Sequence, residues 1–531
     1  MVATVFIRVG FLFTLCSICF IGRGVPQAAE EWNRWAKEDL ERALELEKLN
    51  TNTAKNVIVF LGDGMGIPTI VSARIYKGQL DGGTGEENSL TFEKMPRACL
   101  IKTYNTDYQV PDSAGTATAV LSGIKTRYGV IGLDDSAVRS DCDSAKNAEI
   151  ESVPTIAVRQ GKAVGIVTTT RITHASPAAV YAHVPERDWE SSADGDCVDI
   201  AAQFIERAAD FKVVLGAGRR EFMTNTTEDP EHSSLKGRRT DGRDLISEWR
   251  NLPAFEGLSA EYVWKKDDFD AVDIDSTDYL LGLFDHGHMQ YEADRANDVA
   301  GEPSLAEMVE KAIQMLSKND KGFFLFVEGG RIDHAHHDTL AYKALVDTLA
   351  LDDAVKKALE MTDTEDTLVI VTADHSHVNT INGYPKRGNP ILGNTGDIAD
   401  DGLPYTTIMY TNGPSGKEVM ESFTNNGTRP NTTDVDTEAP DYLQQALVYV
   451  QWETHGGEDI SLHADGPYSH LFQNIHEQNY IAHVIKYAAC LGEYTDTCDT
   501  RVSAATMSSV SAVQVLCLAA GVAMHVTFVF F

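Results

Sequence analysis

The chain has 531 residues and a formal net charge of −34, from 79 acidic against 45 basic side chains. That length can bury a large core and accommodates one big domain with insertions. The surplus of carboxylates argues against nucleic acid as a partner, fits a secreted soluble surface, and leaves some carboxylates free to act as metal ligands.

In chain order, the first element is a secretory signal. Arg8 is the only early charge, an apolar run follows from Val9 to Ile21, and Ala28-Ala29 precede Glu30. That run is too short to span a bilayer, so residues 1–29 read as a removed signal peptide. Residues 30–50 read as an N-terminal helix, with Trp32, Trp35, Ala36, Leu40, Ala43, Leu44 and Leu46 as its apolar positions; it is either a packed strut or a dimer arm. Asn56 to Leu61 is almost continuously apolar, as a strand buried on both faces should be, and Asp63 follows it within a glycine-rich turn.

Pro111 and Asp112 then stop an extended run, and Ser113 opens a small-residue helix ending near Gly123. A serine there meets orphan backbone N–H groups and a dipole that favour an anion, although an Asp-Ser pair also serves simply as a helix cap. The strand-then-polar pattern recurs. Val164–Thr168 runs into Thr169, Thr170, Arg171, His174 and Ser176. Phe323–Val327 runs into Glu328, Asp333, His334, His336 and His337. Leu368–Thr372 runs into Asp374, His375 and His377. Amphipathic helical stretches at Ser304–Ser317 and Thr339–Met361 lie between. Alternating strands and helices predict an α/β fold with a large, mostly parallel central sheet, in which function collects at the carboxyl ends of the strands.

Residues 383–452 change character. They are rich in Gly, Asn, Pro and Thr, and read as an inserted, crown-like surface lobe; the catalytic α/β domain then comprises residues 51–382 and 453–502. His455 follows the lobe, then an extended stretch at Ile460–Gly466 and an amphipathic helix around Asn474–Leu491. Ser503-Ala504-Ala505, a polar stretch to Ser511 and an apolar tail from Ala512 to Phe531 lack a basic flank. This is the pattern of a GPI-attachment signal over 503–531, with Ser503 or Ser508 as the attachment residue and a true C-terminal span as the competing reading. It puts the mature protein on the extracellular face of the cell membrane.

Of eight cysteines, Cys16, Cys19 and Cys517 leave with the two signals. In an oxidising compartment Cys490 and Cys498 can close a small local loop, Cys142 with Cys197 forms the second bridge, and Cys99 in an apolar run reads as a buried free thiol. Sequons at Asn225, Asn426 and Asn431 fit a secretory route.

The chemistry follows from the clusters. Asp333 and His337 are spaced i, i+4 and share one face if their segment is helical. Carboxylate with imidazole and no clustered thiolates suits zinc in a catalytic site. A serine at a helix start beside two such clusters points to phosphoryl transfer, where two metals clamp the attacking and leaving oxygens. No G-x-S-x-G context surrounds Ser113, and a guanidinium should hold the nonbridging oxygens.

Asp112-Ser-Ala-Gly-Thr-Ala-Thr, Thr168-Thr-Thr-Arg with His174-Ala-Ser-Pro, Glu328-Gly-Gly-Arg-Ile-Asp-His-Ala-His-His, Thr372-Ala-Asp-His-Ser-His and Glu453-Thr-His together resemble animal alkaline phosphatases, from about Glu30 to Cys498. The resemblance implies a homodimeric phosphomonoesterase with Ser113 as the nucleophile that becomes phosphoserine and Arg187 binding phosphate. It implies one zinc on Asp333, His337 and His455, and another on Asp63, Asp374 and His375 with Ser113. A magnesium is implied on Asp63, Ser176 and Glu328. A calcium is implied on Glu231, the Phe284 carbonyl, Asp285 and Glu302, with Asp285 in place of the usual Glu and a short insertion before Glu302. Asp112, His174, His334, His336 and His377 are expected around these ligands. Trp452 departs from the family's frequent acidic residue, so substrate and inhibitor preferences do not transfer. Two competing readings are a catalytically weak GPI-anchored binding protein on the same fold and a phosphodiesterase or sulfatase of the same superfamily. The first should have lost a ligand, and none is missing; diesterases commonly use Thr, and sulfatases a different motif around the nucleophile.

Overall fold

The computed structural model describes residues 29–496. The signal peptide, Cys498, Ser503, Ser508 and the apolar tail lie outside the described residues. A helix at Ala29–Glu45 precedes the first strand. It leaves Trp32, Leu40 and Leu44 exposed and ends short of Leu49, where Asn50 turns its side-chain amide onto the Thr364 carbonyl at 2.9 Å.

Ten strands form one sheet. In chain order the first eight are β1 (Asn56–Gly62), β2 (Arg97–Lys102), β3 (Ala163–Arg171), β4 (Phe211–Ala217), β5 (Ala260–Val263), β6 (Tyr279–Leu283), β7 (Phe323–Gly329) and β8 (Thr367–Ala373). The strands Ile460–Asp465 and Ile475–Glu477 complete it. β1 lies at the centre, parallel to β7 on one side and β8 on the other. Beyond β7 come β3, β4, β6 and β5, all parallel. Beyond β8, Ile460–Asp465 runs antiparallel to both β8 and β2, and Ile475–Glu477 pairs parallel with β2. The expectation of a large, mostly parallel α/β sheet therefore holds, with one strand reversed. β1, β7 and β8 are buried almost end to end, which explains why their sequences are continuous apolar runs rather than alternating ones.

Helices flank the sheet. Leu305–Leu316 begins with a capping box between Ser304 and Glu307, and it packs on β3, β4 and the Ala341–Met361 helix. The cap satisfies two orphan N–H groups reciprocally. The Ser113–Ser122 helix is wholly buried and stops at Gly123, whose φ of 84° a side chain would strain. It packs against Val153–Arg159, Ala175–Ala178 and Tyr480–Ala489.

Residues 383–452 build small structures outside the main sheet. Ile408–Gly413 pairs with Asn379–Ile381 and with Ala446–Tyr449, Asn394–Ile398 pairs with Pro404–Thr406, and a helix spans Gly416–Asn426. The return to the core is closed by a two-residue antiparallel pairing that sets His455 opposite His377. Cys142 and Cys197 form a disulfide. Cys490 is disulfide-bonded, and Cys99 is buried and free. Asn225, Asn426 and Asn431 are exposed. Among the described residues no helix is long and apolar enough to cross a membrane.

Candidate active site

The three central strands end side by side, so the residues that follow them converge. Asp63 comes one residue after β1, Asp374 and His375 directly after β8, and Glu328 sits in the last step of β7. The Arg331–His337 segment is helical, which puts Asp333 and His337 on one face as their spacing requires. Gly64 makes the turn after Asp63. It has φ +68°, and a Cβ there would lie 2.4 Å from Nε2 of His377. A glycine is therefore demanded by both backbone and space.

Two sets of ligand-type atoms result. His337 Nε2 lies 3.4 Å from Asp333 Oδ2, His455 Nε2 lies 3.4 Å from Asp333 Oδ1, and the two imidazole Nε2 atoms are 3.2 Å apart. In the second set His375 Nε2 is 3.4 Å from Asp63 Oδ1, 3.3 Å from Asp374 Oδ2 and 3.2 Å from Ser113 Oγ. Ser113 Oγ is also 3.4 Å from Asp63 Oδ1. Four tetrahedral ligands at about 2.0–2.1 Å from an ion stand roughly 3.3–3.4 Å from one another. These separations fit that requirement, and the mixed oxygen and imidazole donors fit zinc.

A third set is marked by atoms without partners. Asp63 Oδ2, Ser176 Oγ and Glu328 Oε1 are buried and make no hydrogen bond. Buried polar atoms are rarely left so, and a cation among them removes the deficit. The other Glu328 oxygen accepts from the hydroxyls of Thr168 and Thr170. Thr168 sits directly opposite Glu328 in the β3–β7 register.

The electrostatics agree. Burial, together with Asp374, Asp333 and Glu328, holds Asp63 far above the usual carboxylate range. Glu328 is pushed up to about 7 by burial. Burial also drives His375 well below its ordinary value, and His337 down to about 4. Neutral imidazoles offer lone pairs, and carboxylates crowded to this degree ionise readily only beside positive charge.

Around these sets, Asp112 caps the serine helix. Its Oδ1 accepts from the Gly115 and Gly129 amides at 3.2 and 3.0 Å and from Asn105 Nδ2 at 3.0 Å. Its Oδ2 holds Arg187 Nη1 at 3.0 Å, and Arg187 Nη2 lies 3.2 Å from His174 Nε2. His334 rests on Arg331 through Nδ1 at 3.0 Å. His336 has both ring nitrogens occupied, by the Thr69 and Tyr410 hydroxyls at 2.9 and 2.8 Å. His377 is likewise taken twice, by Glu453 Oε2 at 2.5 Å and Asp333 Oδ1 at 2.8 Å. Burial pulls His377 down, but those two carboxylates outweigh it and push it up to about 10. It has no lone pair left for an ion.

The Glu231, Asp285 and Glu302 carboxylates form a separate group, drawn from the segments after β4 and β6. Glu231 Oε1 and Glu302 Oε1 are buried without partners, and so is Asp298 Oδ2, which the sequence did not single out. Burial, with Asp285, Asp298 and Glu231 adding to it, pushes Glu302 up to about 9. The roles of Thr168, Thr170 and Glu453 are not legible in the sequence, because each depends on a partner far along the chain; Asn105 meets Asp112 only because the loop between them folds back.

The alkaline phosphatase family profile matches residues 54–491. The tissue-nonspecific alkaline phosphatase of Rattus norvegicus is 46% identical over 512 residues, covering 94% of this chain and 96% of its own. An alkaline phosphatase of Gadus morhua is 46% identical over 489 residues, covering 88% and 99%. The crystal structure of Thermus thermophilus alkaline phosphatase superimposes with a TM-score of 0.59 at 25% identity, covering 84% of this chain and 93% of that one. Similar along nearly its whole length to enzymes of one kind, and with metal-ready donors gathered at its central strand ends, this chain belongs to the alkaline phosphatase family of metal-dependent phosphatases.

Proposed function

We propose that the enzyme hydrolyses phosphate monoesters through a phosphoserine at Ser113. The observation that supports this most is the position of Ser113 Oγ, 3.2 Å from His375 Nε2 and 3.4 Å from Asp63 Oδ1, at the first residue of a buried helix. Asp333, His337 and His455 would hold one zinc. Asp63, Asp374 and His375, with Ser113, would hold the other. Asp63, Ser176 and Glu328 would hold magnesium. When bound, these ions supply positive charge that favours the serine alkoxide and offsets charge on the attacking and leaving oxygens.

The protein's own groups do the rest. Arg187, anchored by Asp112 at 3.0 Å, presents its guanidinium to two nonbridging oxygens of the phosphate. The N–H groups of the serine helix add a second anion-favouring field. Ser113 Oγ bonds to phosphorus as the ester oxygen leaves as the alcohol. Water then forms the next bond to phosphorus and the serine oxygen departs, giving inorganic phosphate. Two in-line displacements give net retention at phosphorus. Acid quench during turnover should trap phosphate on Ser113, and a chiral phosphate ester should react with retention. Net inversion without a trapped phosphoserine would remove the serine from the mechanism.

The Glu231, Phe284 carbonyl, Asp285 and Glu302 group is read as a calcium site, supported by a donor set dominated by oxygen, with His232 as the one imidazole near it. Residues 30–50 are read as a dimer arm, supported by exposed Trp32, Leu40 and Leu44; light scattering on the mature protein should give a dimer. Residues 51–382 with 453–502 form the catalytic domain, and 383–452 the crown-like lobe. Asn225, Asn426 and Asn431 are read as glycosylated, which glycosidase treatment should register as a loss of mass. Attachment through a GPI lipid at Ser503 or Ser508 places the enzyme on the extracellular face of the cell membrane, and a phosphatidylinositol-specific phospholipase should release the activity.

A further inference from the structure

Glu453 stands where the chain comes back from residues 383–452, two residues before His455, and it touches two further segments that bear candidate ligands. It is almost fully buried, at 1% exposure. Its side chain accepts from the Val378 amide at 2.7 Å through Oε1 and meets His377 Nδ1 at 2.5 Å through Oε2. His377 passes the contact on, with Nε2 2.8 Å from Asp333 Oδ1. The main chain of the same residue grips a second ligand. The Glu453 amide donates to the His337 carbonyl at 2.9 Å, and the Glu453 carbonyl accepts from His337 Nδ1 at 2.5 Å. That bond puts the His337 proton on Nδ1 and leaves Nε2 as a lone pair facing Asp333 and His455. His455, two residues on, has its own Nδ1 held by the Pro111 carbonyl at 2.8 Å, immediately before the Asp112-Ser113 pair. Gly413 packs beside Glu453, where a Cβ would lie 2.4 Å from Thr339 Cγ2 and 3.3 Å from the Glu453 Cβ.

We propose that Glu453 is the positioning residue of the Asp333, His337 and His455 set. Its carboxylate fixes Asp333 by way of His377, while its backbone fixes the ring and tautomer of His337. Partners of ligands that touch no metal themselves set ligand orientation and basicity, and their loss typically lowers affinity or activity by about 10–100-fold. Glutamine separates the two functions. Glu453→Gln leaves the backbone clamp on His337 intact, but its amide cannot accept at both ends: with its oxygen on the Val378 amide it presents an NH2 to His377 Nδ1, which must then give up its proton and the positive charge it sets beside Asp333.

The proposal rests on the reading that Asp333, His337 and His455 hold a zinc, and the experiment keeps the two apart. Purified holoenzyme is prepared as wild type, Glu453→Gln, His377→Gln, the double variant and Asp333→Asn. Each is dialysed against graded chelator and its bound zinc counted by mass spectrometry. kcat and KM for p-nitrophenyl phosphate are measured with and without excess zinc, and the melting temperature of the metal-free protein is recorded. Glu453→Gln is expected to release one zinc at about 10–100-fold lower chelator concentration than wild type. Excess zinc should restore most of kcat, and the metal-free melting temperature should be unchanged. Added to His377→Gln, it should cost no more than about twofold further, because both act along one path. Zinc retention equal to wild type overturns the proposal. So does a loss fully additive with His377→Gln, or a lowered metal-free melting temperature with no rescue by zinc. If Asp333→Asn holds as much zinc as wild type, the metal reading itself falls and the proposal with it.

Discussion

Two groups of buried carboxylates follow strands of the same sheet, and their companions differ. Asp63, Glu328, Asp333 and Asp374 are interleaved with His337, His375 and His455, a serine at a helix start and an anchored arginine. Glu231, Asp285, Asp298 and Glu302 gather from the loops after β4 and β6, where one imidazole, His232, comes within ligand range of Glu231 and Asp285. The arginine there, Arg219, is itself buried and consumed by Asp229 and Glu231 at 2.9 and 2.7 Å. Both groups leave carboxylate oxygens buried and unpartnered. Burial alone therefore does not distinguish a reaction centre from a structural cation site. The share of imidazole does, since several imidazoles among the carboxylates admit zinc whereas a cage dominated by oxygen, with His232 as its one nearby imidazole, favours calcium. The first group should control turnover and the second stability.

The largest expected effect tests the first half of that contrast. Ser113→Ala should lower kcat by at least about a thousandfold, in keeping with loss of a nucleophile in other covalent enzymes. Bound zinc should stay near wild type, because Asp63, Asp374 and His375 remain. Zinc analysis alongside kinetics checks both statements. A loss of metal equal to the loss of rate would make Ser113 a structural ligand and erase the contrast with the second group.

The next effect tests the other half. Glu302→Gln removes from the second group a carboxyl that could ionise onto a cation, while keeping its shape. Wild type should gain about 2.7 kcal/mol of stability when calcium stands a hundredfold above its dissociation constant, and the variant should lose most of that gain. kcat/KM should stay within about twofold. Calorimetry with and without calcium, paired with p-nitrophenyl phosphate kinetics, reads the two quantities separately. A variant that loses activity but keeps its calcium response would mean that the two groups are coupled.

The sequence made the first group legible because chain and chemistry coincide there. β1, β7 and β8 are continuous apolar runs, and each polar cluster begins within a residue or two of a strand end. β5 (Ala-Glu-Tyr-Val) is a short, half-polar edge strand with no comparable signal; the other edge strand, Ile475–Glu477, lies in the stretch around Asn474–Leu491 expected to be helical, where the helix spans only Tyr480–Ala489. Nor is β2 marked out in the sequence, where it is a short apolar run between Arg97 and Lys102 whose alternating burial appears only in the fold. Partners set by register escape a reading along the chain altogether. Thr168 meets Glu328 only because β3 and β7 align, and His377 meets His455 only because two two-residue strands pair. Asp298 escapes for a similar reason, since the carboxylate that raises it most, Glu231, lies far earlier in the chain.

The smallest effect uses a carboxylate that belongs to neither group. Asp347, on the Ala341–Met361 helix, is buried at 4% exposure and accepts from the Glu292 amide at 3.2 Å. Burial pushes it up to about 8, against a partly compensating Arg331. It resolves the cost of burial by keeping its proton rather than by recruiting a cation. The unfolded chain releases that proton near pH 4. Between about pH 4 and 8 the folded state therefore binds more protons than the unfolded one, and its stability falls as pH rises through that window. Below the window both states are protonated, and above it both are ionised, so the slope vanishes on either side. Asn at 347 imitates the protonated acid, still accepts from Glu292, and does not titrate. Asp347→Asn should match wild type near pH 4 and then gain on it with rising pH, by at most about 1.4 kcal/mol per pH unit, before levelling off above pH 8. Denaturant unfolding at several pH values gives the difference directly, and every other titrating group cancels in it. Parallel curves would show that Asp347 is ionised in the fold, and its charge would then need a counter-cation as the other two groups do.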